Sequence, residues 1–409
     1  MKKAAKLISL LLVLVMVLGM SACGAKGDIE ISFIVCEYSD HTQEYMEKII
    51  SDFEAAHEGV KVNLEMVSWD DATTTIQSRV GSGQAPDILN LDSYSQYLED
   101  NLLLPAEDYV SDDLMNTFYQ TFYDYNVATD GVVYAVPFVA SVRNLYYSKA
   151  IFEECGIAEA PATWDDVLDV CQVILDKYNG EVYPWGMDFT TNEGQANFSY
   201  FIWNFGGGWV DENNNWTLNC PENVEALQFM LDMYNNGLTN ANPLTDDRDS
   251  MQAMMNNGKI AMMISANFFP ALYPDLDLGV APIPSNGEQE SIQLGVQDRL
   301  MVFDNDYSEE KLEAIKQFVE YMFTCDDYAD WCLTEGLLPV TQECFDYLIT
   351  QNEVYQVYKD ALASVKFYPS YLPEWGDARI GAIEAVQSCA TGSTTPQEAL
   401  DALQAKIAG

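Results

Sequence analysis

The chain has 409 residues, of which 64 are Asp or Glu and 19 are Lys or Arg, so its formal net charge is −45. This length favours two or more lobes, because single hydrophobic cores stop growing near about 250–300 residues, and the 48% hydrophobic content excludes global disorder. The acid excess argues against nucleic acid and against docking on anionic lipid through a basic face. With only two histidines, most histidine-based catalysis and histidine-rich metal sites are also disfavoured.

The first 22 residues are typical of a secretory signal peptide. Lysines precede an apolar run of about 14 residues, shorter than the roughly 20 residues of a permanent membrane-spanning helix. The segment Met20-Ser21-Ala22-Cys23 resembles a bacterial lipobox, which implies that Cys23 is diacylated and becomes the mature N-terminus. Residues 23–29 would then hold the lipidated cysteine and a tether. The alternative is an ordinary signal peptide that is cleaved near a cysteine by chance.

The chain contains nine cysteines, so eight remain besides Cys23. An exported chain could pair them. They are spread along a long, core-rich chain and none forms a CxxC motif, so we favour buried small hydrophobic residues over a disulfide framework for most of them.

Strand and helix patterns alternate after the tether. The strands are predicted at 29–35, 60–67 and 85–91, and the helices between them at 41–57 and 71–80. This order indicates a parallel sheet with helices on its faces. In such sheets ligands lie outside the carboxyl ends of the strands, so the polar segments 37–40 and 92–94 are candidate binding loops.

The rest of the chain continues the α/β pattern. Further strands are predicted at 131–138, 142–147 and 260–264, and further helices at 163–178, 197–205, 221–236, 250–257, 308–323 and 396–407. The acidic segment 211–215 predicts a hairpin-type turn. It lacks the alternating acids, glycine and distal glutamate of a calcium loop. The sequence contains no GxSxG, HExxH or Walker motif.

Aromatic residues occur beside carboxylate, amide or arginine residues at the ends of predicted elements. The residues concerned are Glu37, Tyr38, Trp69, Asp70, Asp92, Tyr94, Trp185, Trp203, Asn204, Asn267, Phe268, Asp298, Arg299, Tyr371, Trp375 and Asp377. A pyranose has an apolar C–H face that stacks on an aromatic ring, and a ring of hydroxyls that need fixed polar partners. The alternative is a purely structural role, in which the aromatic residues lie at the edge of the hydrophobic core and the acidic residues are solvated helix caps. Taken as a set, the residues favour sugar recognition.

A series of short segments carries a family resemblance. Gly83-Gln-Ala-Pro-Asp-Ile88 matches a G-x-x-P-D motif and Leu102-Leu-Leu-Pro105 a GLL-x-P motif. The other matching segments, in order, are 53–62, 134–138, 145–149, 161–165, 258–263, 336–340 and 398–400. In this order they resemble the family-1, maltose-binding-like extracellular solute-binding proteins, which are lipoprotein receptors of bacterial ABC importers.

The resemblance implies a two-lobed, type II periplasmic-binding-protein-like fold, in which each lobe is a mixed, mainly parallel sheet flanked by helices. We place the N-terminal lobe at 30–140 plus 276–325 and the C-terminal lobe at 141–275 plus 326–409. The implied function is capture of a sugar or oligosaccharide by hinge closure and its delivery to the transmembrane subunits of an importer. The resemblance implies a monomer that is not an enzyme, needs no cofactor or metal, and is lipid-anchored on the extracytoplasmic face of the cell membrane.

The resemblance also assigns ligand-binding residues. They are Glu37, Tyr38, Ser39 and Asp40 after the first strand; Asp92, Ser93 and Tyr94 after the third; Ser141, Arg143, Asp298 and Arg299 near the hinge crossings; and Trp69, Trp203, Asn267, Phe268 and Trp375. Phe268 stands where the family often has a stacking tryptophan, which weakens the case for a maltose-type ligand. Asp298 and Arg299 could form a hinge salt bridge or reach ligand hydroxyls.

Two other functions stay open. An acidic cleft formed by Glu37, Asp40, Asp70 and Asp92 could bind a cationic solute such as a polyamine, since aromatic residues also cage cations. A secreted glycoside hydrolase needs two facing carboxylates about 5–10 Å apart. Nothing in the sequence selects such a pair.

Overall fold

The structure, a computed structural model, describes residues 28–128, 130–287, 289–324 and 326–409. The predicted signal peptide, Cys23 and residues 24–27 of the tether lie outside the described residues. Within the described ranges, none of the helices has both the length and the apolar character needed to span a bilayer.

The described strands form one mixed sheet. They are β1 (Ile29–Cys36), β2 (Val60–Val67), β3 (Ile88–Leu91), β4 (Ala135–Ser148), β5 (Tyr183–Gly186), β6 (Ile260–Ala266), β7 (Leu278–Ala281), β8 (Gln293–Val302), β9 (Leu338–Pro339) and β10 (Val365–Lys366). Hydrogen-bonded neighbours follow the order β2-β1-β3-β8-β4-β6-β5. β1 pairs in parallel with β2 and β3, as the strand–helix–strand pattern predicted, whereas β8 is antiparallel to β3 and β4.

Helices cover the sheet. They are α1 (Thr42–Ala56), α2 (Trp69–Gly81), α3 (Ser95–Glu99), α4 (Ala106–Tyr109), α5 (Asp112–Met115), α6 (Gln120–Asp124), α7 (Lys149–Cys155), α8 (Trp164–Tyr178), α9 (Gly194–Asn204), α10 (Pro221–Asn235), α11 (Arg248–Asn256), α12 (Phe269–Leu272), α13 (Glu309–Thr324), α14 (Asp326–Glu335), α15 (Gln342–Gln351), α16 (Val354–Ala361), α17 (Trp375–Ala390) and α18 (Pro396–Ile407). Each predicted helix is present, with ends shifted by a few residues.

One prediction of the strands is wrong. The predicted separate strands at 131–138 and 142–147 are a single strand, β4. The pairing of β4 with β8 shifts register between Pro137 and Val139. Proline has no backbone N–H to donate to a ladder, so a local irregularity here interrupts the pairing without ending the strand.

β4 and β8 connect the two halves of the molecule. The first part of β4 pairs with β8 over Ala135–Val142, and its second part pairs with β6 over Arg143–Tyr147. The far end of β8 pairs with β3, and its beginning pairs with β10 through Gln293 and Val365. The two long strands therefore run side by side from one lobe into the other, with β10 as a third crossing.

Two large hydrophobic clusters form the cores on either side of these crossings. In the first, Phe33 and Phe53 pack edge-on against Phe318, with ring centroids 5.5 and 5.0 Å apart. In the second, Trp164 stacks on Phe201 at 4.4 Å. Such aromatic contacts contribute roughly 0.5–1.5 kcal/mol each beyond the burial of their area.

The clusters divide the chain differently from the predicted lobe boundaries. Buried side chains from Tyr328 to Leu362 lie in the first cluster, although we predicted 326–409 in the second lobe. Ile283 and Leu294 lie in the second cluster, although we predicted 276–325 in the first lobe. An amphipathic helix pattern shows which face is buried but not which lobe buries it, and β8 contributes side chains to both clusters.

Two smaller predictions can be compared with local contacts. In the turn 211–215, the carboxylate of Asp211 accepts the backbone N–H groups of Asn213 and Asn215 at 2.8 and 2.9 Å, as expected for the predicted turn. The thiols of Cys36, Cys171 and Cys389 are buried and form no disulfide in the described part of the chain. They behave there as small core residues.

Candidate ligand-binding site

The first predicted binding loop meets the second hinge crossing. Tyr38 follows β1, and its hydroxyl donates to Oδ2 of Asp298 on β8 at 2.9 Å. The same hydroxyl accepts from Nδ2 of Asn90 at 3.3 Å, and Asn90 also accepts the backbone N–H of Cys36 at 3.2 Å. The carboxyl ends of the parallel strands β1 and β3 share one edge of the sheet, and the antiparallel strand β8 beside β3 brings Asp298 to the same place.

Asp298 has an unusual electrostatic environment. Its pKa is raised to about 7, mainly by burial and also by the neighbouring charge of Asp92, while the hydrogen bond from Tyr38 and the charges of Arg299 and Arg143 oppose the shift. Near neutral pH this carboxyl group is therefore divided between its protonated and ionised forms, so it can donate or accept a hydrogen bond.

Arg299 does not form the hinge salt bridge that the sequence offered as one of two alternatives for it. Its buried guanidinium lies over the rings of Tyr94 and Tyr125, at 5.4 and 4.6 Å from their centroids. Its Nε donates to Oδ1 of Asn126 at 2.6 Å, and its Nη1 donates to the backbone carbonyl of Asp92. No ion pair joins it to Asp298 among the described residues. Arg299 thus fixes the loop after β3 to the hinge strand.

A buried ion triad lies at the first crossing, on the second-lobe side. Oε1 of Glu193 accepts from both Arg143, at 2.9 Å, and Arg248, at 2.5 Å. Arg143 also donates to Oγ of Ser141 at 2.8 Å. Burial acts most strongly on the Glu193 carboxyl, but the two guanidinium groups outweigh it and lower its pKa, so it stays ionised at neutral pH.

Phe268 lies against this triad. The guanidinium carbons of Arg143 and Arg248 are 6.0 and 5.3 Å from its ring centroid. The electron-rich face of the ring attracts both guanidinium cations. Arginine therefore occupies part of the surface that we assigned to sugar stacking from the family resemblance.

Aromatic rings gather beside the third crossing. Trp375 stacks on Tyr368 with centroids 4.9 Å apart and contacts Trp209 edge-on at 5.0 Å. Trp203 lies 6.4 Å from Tyr368. On the first lobe, Trp69 is 36% exposed and packs edge-on against Tyr38 at 5.5 Å. The structure thus brings Trp203 and Trp375 together, and places Trp69 with Tyr38.

Other assigned residues have different surroundings. The Asn267 amide bonds backbone groups on both sides, accepting from Val142 N–H at 2.8 Å and donating to the Gly336 carbonyl at 2.5 Å. Ser39 accepts from His41 N–H in the turn before α1. In the described part of the chain, no hydrogen bond or ring contact joins Glu37, Asp40 or Ser93 to another assigned residue.

Several buried polar atoms near the hinge lack partners among the described residues. They are Nε of Arg143, Oε1 of Gln195 on α9, and both amide atoms of Gln297 on β8. An unpaired buried polar atom costs about 1–3 kcal/mol. A ligand rich in hydroxyl groups, which both donate and accept, could satisfy such atoms.

The site also includes residues that the sequence analysis missed. Glu193, Arg248, Tyr125 and Tyr368 contact the assigned residues directly. Glu193 precedes the predicted apolar helix at 197–205, so the rule of a carboxylate at an element end could have found it. Tyr125 lies among short helices without a clear period, where no sequence signal distinguishes it.

A cavity of about 660 Å³ adjoins the aromatic group. It is lined by Asp124 and Tyr125 from the first lobe and by Trp203 and Asp211 from the second, with Tyr371 between them. Binding sites for small molecules commonly have about 300–1,000 Å³. The space between the lobes therefore has the size and mixed polar and aromatic lining of a ligand site.

Comparison with known proteins shows the family to which the chain belongs. Residues 38–327 match the family described as bacterial extracellular solute-binding protein, and this match covers well over half of the chain. The chain belongs to this family of solute-binding receptors for ABC importers, whose members are not enzymes.

Individual relatives are distant. A binding protein of Brucella abortus (strain 2308) is 29% identical over 385 residues, which are 92% of each chain. An arabinooligosaccharide-binding protein of Halalkalibacterium halodurans is 24% identical, over 75% of this chain and 70% of that protein. The crystal structure of a cyclic alpha-maltosyl-1,6-maltose binding protein from Arthrobacter globiformis has a TM-score of 0.80 and 20% identity, covering 93% of this chain and 98% of that one. The structural likeness confirms the predicted type II periplasmic-binding-protein-like fold.

Proposed function

We propose that the chain is a lipid-anchored receptor that captures a sugar or oligosaccharide between its lobes and delivers it to the transmembrane subunits of an ABC importer. The observation that carries this proposal is that Tyr368, which stacks on Trp375, lies beside Arg143 and Gln195, whose buried polar atoms are partly unpaired. A relative and a structural neighbour that are named for binding oligosaccharides support the ligand class.

The chemistry of the site suits a neutral polyol. Stacked aromatic rings offer apolar surface for the C–H face of a pyranose. Asp298, with a pKa of about 7, and the amide of Gln297 offer both donors and acceptors to hydroxyl groups. A sugar would satisfy both kinds of surface at once, which a purely apolar ligand would not.

The crossing strands supply the proposed motion. β4 and β8 hold the lobes together while leaving their angle adjustable, and a ligand that touches both lobes stabilises the closed state by its extra contacts there. We assign each part of the chain to the lobe whose hydrophobic cluster contains its buried side chains. The closed receptor would then dock on the importer, with the lipid on Cys23 keeping it at the extracytoplasmic face of the membrane.

The buried charges do not favour a cationic ligand. Glu193 is already shared by Arg143 and Arg248, and burial keeps Asp298 partly protonated. Arg299 adds a third buried cation at the hinge. The buried carboxylates at the hinge are therefore already paired or partly protonated, and a polyamine would have to pair with exposed ones such as Asp124 and Asp211 of the cavity wall.

The test is a thermal-shift screen followed by calorimetry on the mature chain without residues 1–23. The panel holds mono- and oligosaccharides, with polyamines and amino acids as controls. A ligand at a hundredfold excess over Kd adds about 2.7 kcal/mol of stability to the folded state. A shift with one sugar class and no product on chromatography supports the receptor. A shift with polyamines alone, or formation of product, contradicts it.

Variants locate the site. Trp375→Ala and Asp92→Ala should each weaken sugar binding more than tenfold, because each removes a side chain assigned to the ligand, while Trp375→Phe keeps an aromatic face and most of the affinity. Tyr347→Ala is the matched control, since Tyr347 is an exposed aromatic residue on α15. Wild-type affinity in both Trp375→Ala and Asp92→Ala would refute the site assignment.

A further inference from the structure

Tyr125 is held firmly in the first lobe. It follows α6, where Phe122 packs in the first hydrophobic cluster. The next residue, Asn126, donates from Nδ2 to the Phe122 carbonyl at 2.7 Å, and its Oδ1 accepts from Nε of Arg299. The backbone on both sides of Tyr125 is therefore fixed to the first lobe and to the hinge strand β8.

The third crossing passes from one core to the other beside Tyr125. Phe367, just after β10, packs against the first hydrophobic cluster, whereas the next residue, Tyr368, packs against the second. Phe367 lies so close to β8 that a Cβ atom built on Gly295 would come within 2.6 Å of its ring. Because only glycine leaves room for the ring there, Phe367 is fixed on the hinge strand and the change of lobe falls at Tyr368.

Tyr125 contacts the chain on both sides of this change. Its ring stacks on Phe367, with centroids 4.2 Å apart and an interplanar angle of 16°. Its hydroxyl donates to the carbonyl of Tyr368 at 2.7 Å. That bond uses the single hydroxyl proton, so the Ser370 hydroxyl donates to Tyr125 in turn, also at 2.7 Å. A side chain of the first lobe thus holds two residues that lie beyond the crossing.

The segment held by Tyr125 is short and stiff. Pro369 lies between the two bonded residues, and its ring fixes its own φ and restricts the backbone of Tyr368 to extended conformations. The backbone N–H of Ser370 also donates to the Tyr368 carbonyl, at 2.8 Å. The direction in which the Tyr368 side chain leaves the backbone therefore depends on the two bonds to Tyr125.

The Tyr368 ring is part of the proposed sugar site. It stacks on Trp375 at 4.9 Å and lies 6.4 Å from Trp203. Tyr125 itself lines the adjoining cavity. An aromatic surface that is oriented before the ligand arrives binds it more tightly, because less conformational freedom is lost on binding.

We propose that Tyr125 is a positioning residue of the ligand site, whose hydroxyl fixes the Tyr368 ring in its stack with Trp375. The consequence for sugar affinity rests on the proposed function, whereas the effect on the stack does not. Tyr125→Phe isolates the role of the hydroxyl, because it keeps the aromatic ring. Ser370→Ala removes one of the two bonds from the opposite side.

The first test observes the stack in the ligand-free mature chain by NMR of the tryptophan indole N–H groups. Trp375→Phe identifies the Trp375 signal. Tyr125→Phe should shift or broaden that signal, and Ser370→Ala should do so to a smaller extent. Tyr347→Phe is the matched control, since it removes an exposed hydroxyl that donates to Asp330 at 3.0 Å, and it should leave the signal unchanged. An unchanged signal in both Tyr125→Phe and Ser370→Ala overturns the proposal.

The second test measures affinity for the sugar found in the thermal-shift screen. Tyr125→Phe should weaken binding about fivefold, as expected for the loss of hydrogen bonds of ordinary strength, and Tyr347→Phe should not change it. In the Trp375→Ala background, Tyr125→Phe should have less than about a twofold effect, because the stack through which Tyr125 acts is already absent.

Wild-type affinity in Tyr125→Phe overturns the positioning role. An equal loss in both backgrounds also overturns it, since Tyr125 would then contact the ligand directly. If no carbohydrate binds at all, the proposed function fails, while the Trp375 signal of the ligand-free protein still decides whether Tyr125 fixes the stack.

Discussion

The hydroxyl of Tyr38 donates a hydrogen bond of 2.9 Å to the carboxylate of Asp298, joining residues that are 260 positions apart in the sequence. Tyr38 follows the first strand of the first lobe, and Asp298 lies on a strand that crosses between the lobes. This pair therefore connects the proposed ligand loop to the hinge, and the ionisation of Asp298 acts at that connection.

Asp298 should make stability depend on pH. Its pKa is raised from 3.8 to about 7 on folding, so between these values the folded state binds a proton that the unfolded state releases. The contribution of Asp298 to the free energy of unfolding is therefore greatest below about pH 4, and it falls as the pH rises to about 7. Three pKa units correspond to a loss of up to about 4 kcal/mol.

Urea unfolding at several pH values between about 4.5 and 7.5 measures this dependence. Asp298→Asn should flatten the fall in the free energy of unfolding over that range. Glu159→Gln, at an exposed loop position, should leave the wild-type slope unchanged. An equal slope in wild type and Asp298→Asn would show that Asp298 ionises in the folded protein as an ordinary surface aspartate does.

Tyr38→Phe should raise the pKa of Asp298. The Tyr38 hydroxyl donates to the carboxylate and so lowers its pKa against the effect of burial. Without that donor the ionised form loses a partner, and the pKa should rise further. Carbon-13 NMR of labelled aspartate, with Asp298→Asn to assign the signal, measures the shift; a lower pKa in Tyr38→Phe contradicts the contact.

Glu193→Gln should destabilise the protein strongly. The change removes the shared carboxylate and leaves Arg143 buried without a counter-ion, while Arg248 retains only Asp249, which is mostly exposed. Removing one member of a buried ion pair costs about 3–5 kcal/mol.

Urea unfolding compares Glu193→Gln with Glu225→Gln, which alters an exposed glutamate on α10. The control should change the free energy of unfolding by less than about 0.5 kcal/mol. A similarly small effect in Glu193→Gln would mean that water or rearrangement compensates the two arginines.

Cys23→Ser should release the protein from the membrane. Lipid on Cys23 would provide the only proposed anchor, and a serine cannot carry the thioether-linked diacylglycerol. Cell fractionation and labelling with a clickable fatty acid should place wild type in the membrane fraction and the variant in the soluble fraction. Cys155→Ser, at a half-buried position, should remain labelled. Equal membrane retention of Cys23→Ser and wild type would contradict lipid anchoring.

Local patterns predicted much of the fold. The period of apolar residues gave α1, α2, α8, α9, α10, α11, α13 and α18, and alternation gave β1 and β2. The helices α14 to α17 were not predicted from this period, although each has eight residues or more. The short helices between β3 and β4 escaped prediction, because four or five residues cannot show a helical period. The continuity of β4 escaped it too, since residues 139–141, predicted as a break between two strands, pair with β8.

The site was predictable to a lesser degree. Element ends with paired aromatic and polar residues drew attention to Tyr38, Asp298 and Trp375. The same rule could not show that Asn267 bonds backbone groups, or that Phe268 faces two arginines, because those contacts come from elements distant in sequence. Such partners depend on tertiary packing, which single-sequence patterns do not encode.

The sheet order has a consequence for how the chain folds. β8 lies between β3 and β4, yet about 145 residues separate β4 from β8, and those residues build most of the second lobe. The centre of the sheet cannot close until that segment has been synthesised. Contacts this distant in sequence slow folding. If the chain is exported as its predicted signal peptide implies, it would therefore stay extended for longer before its lobes form.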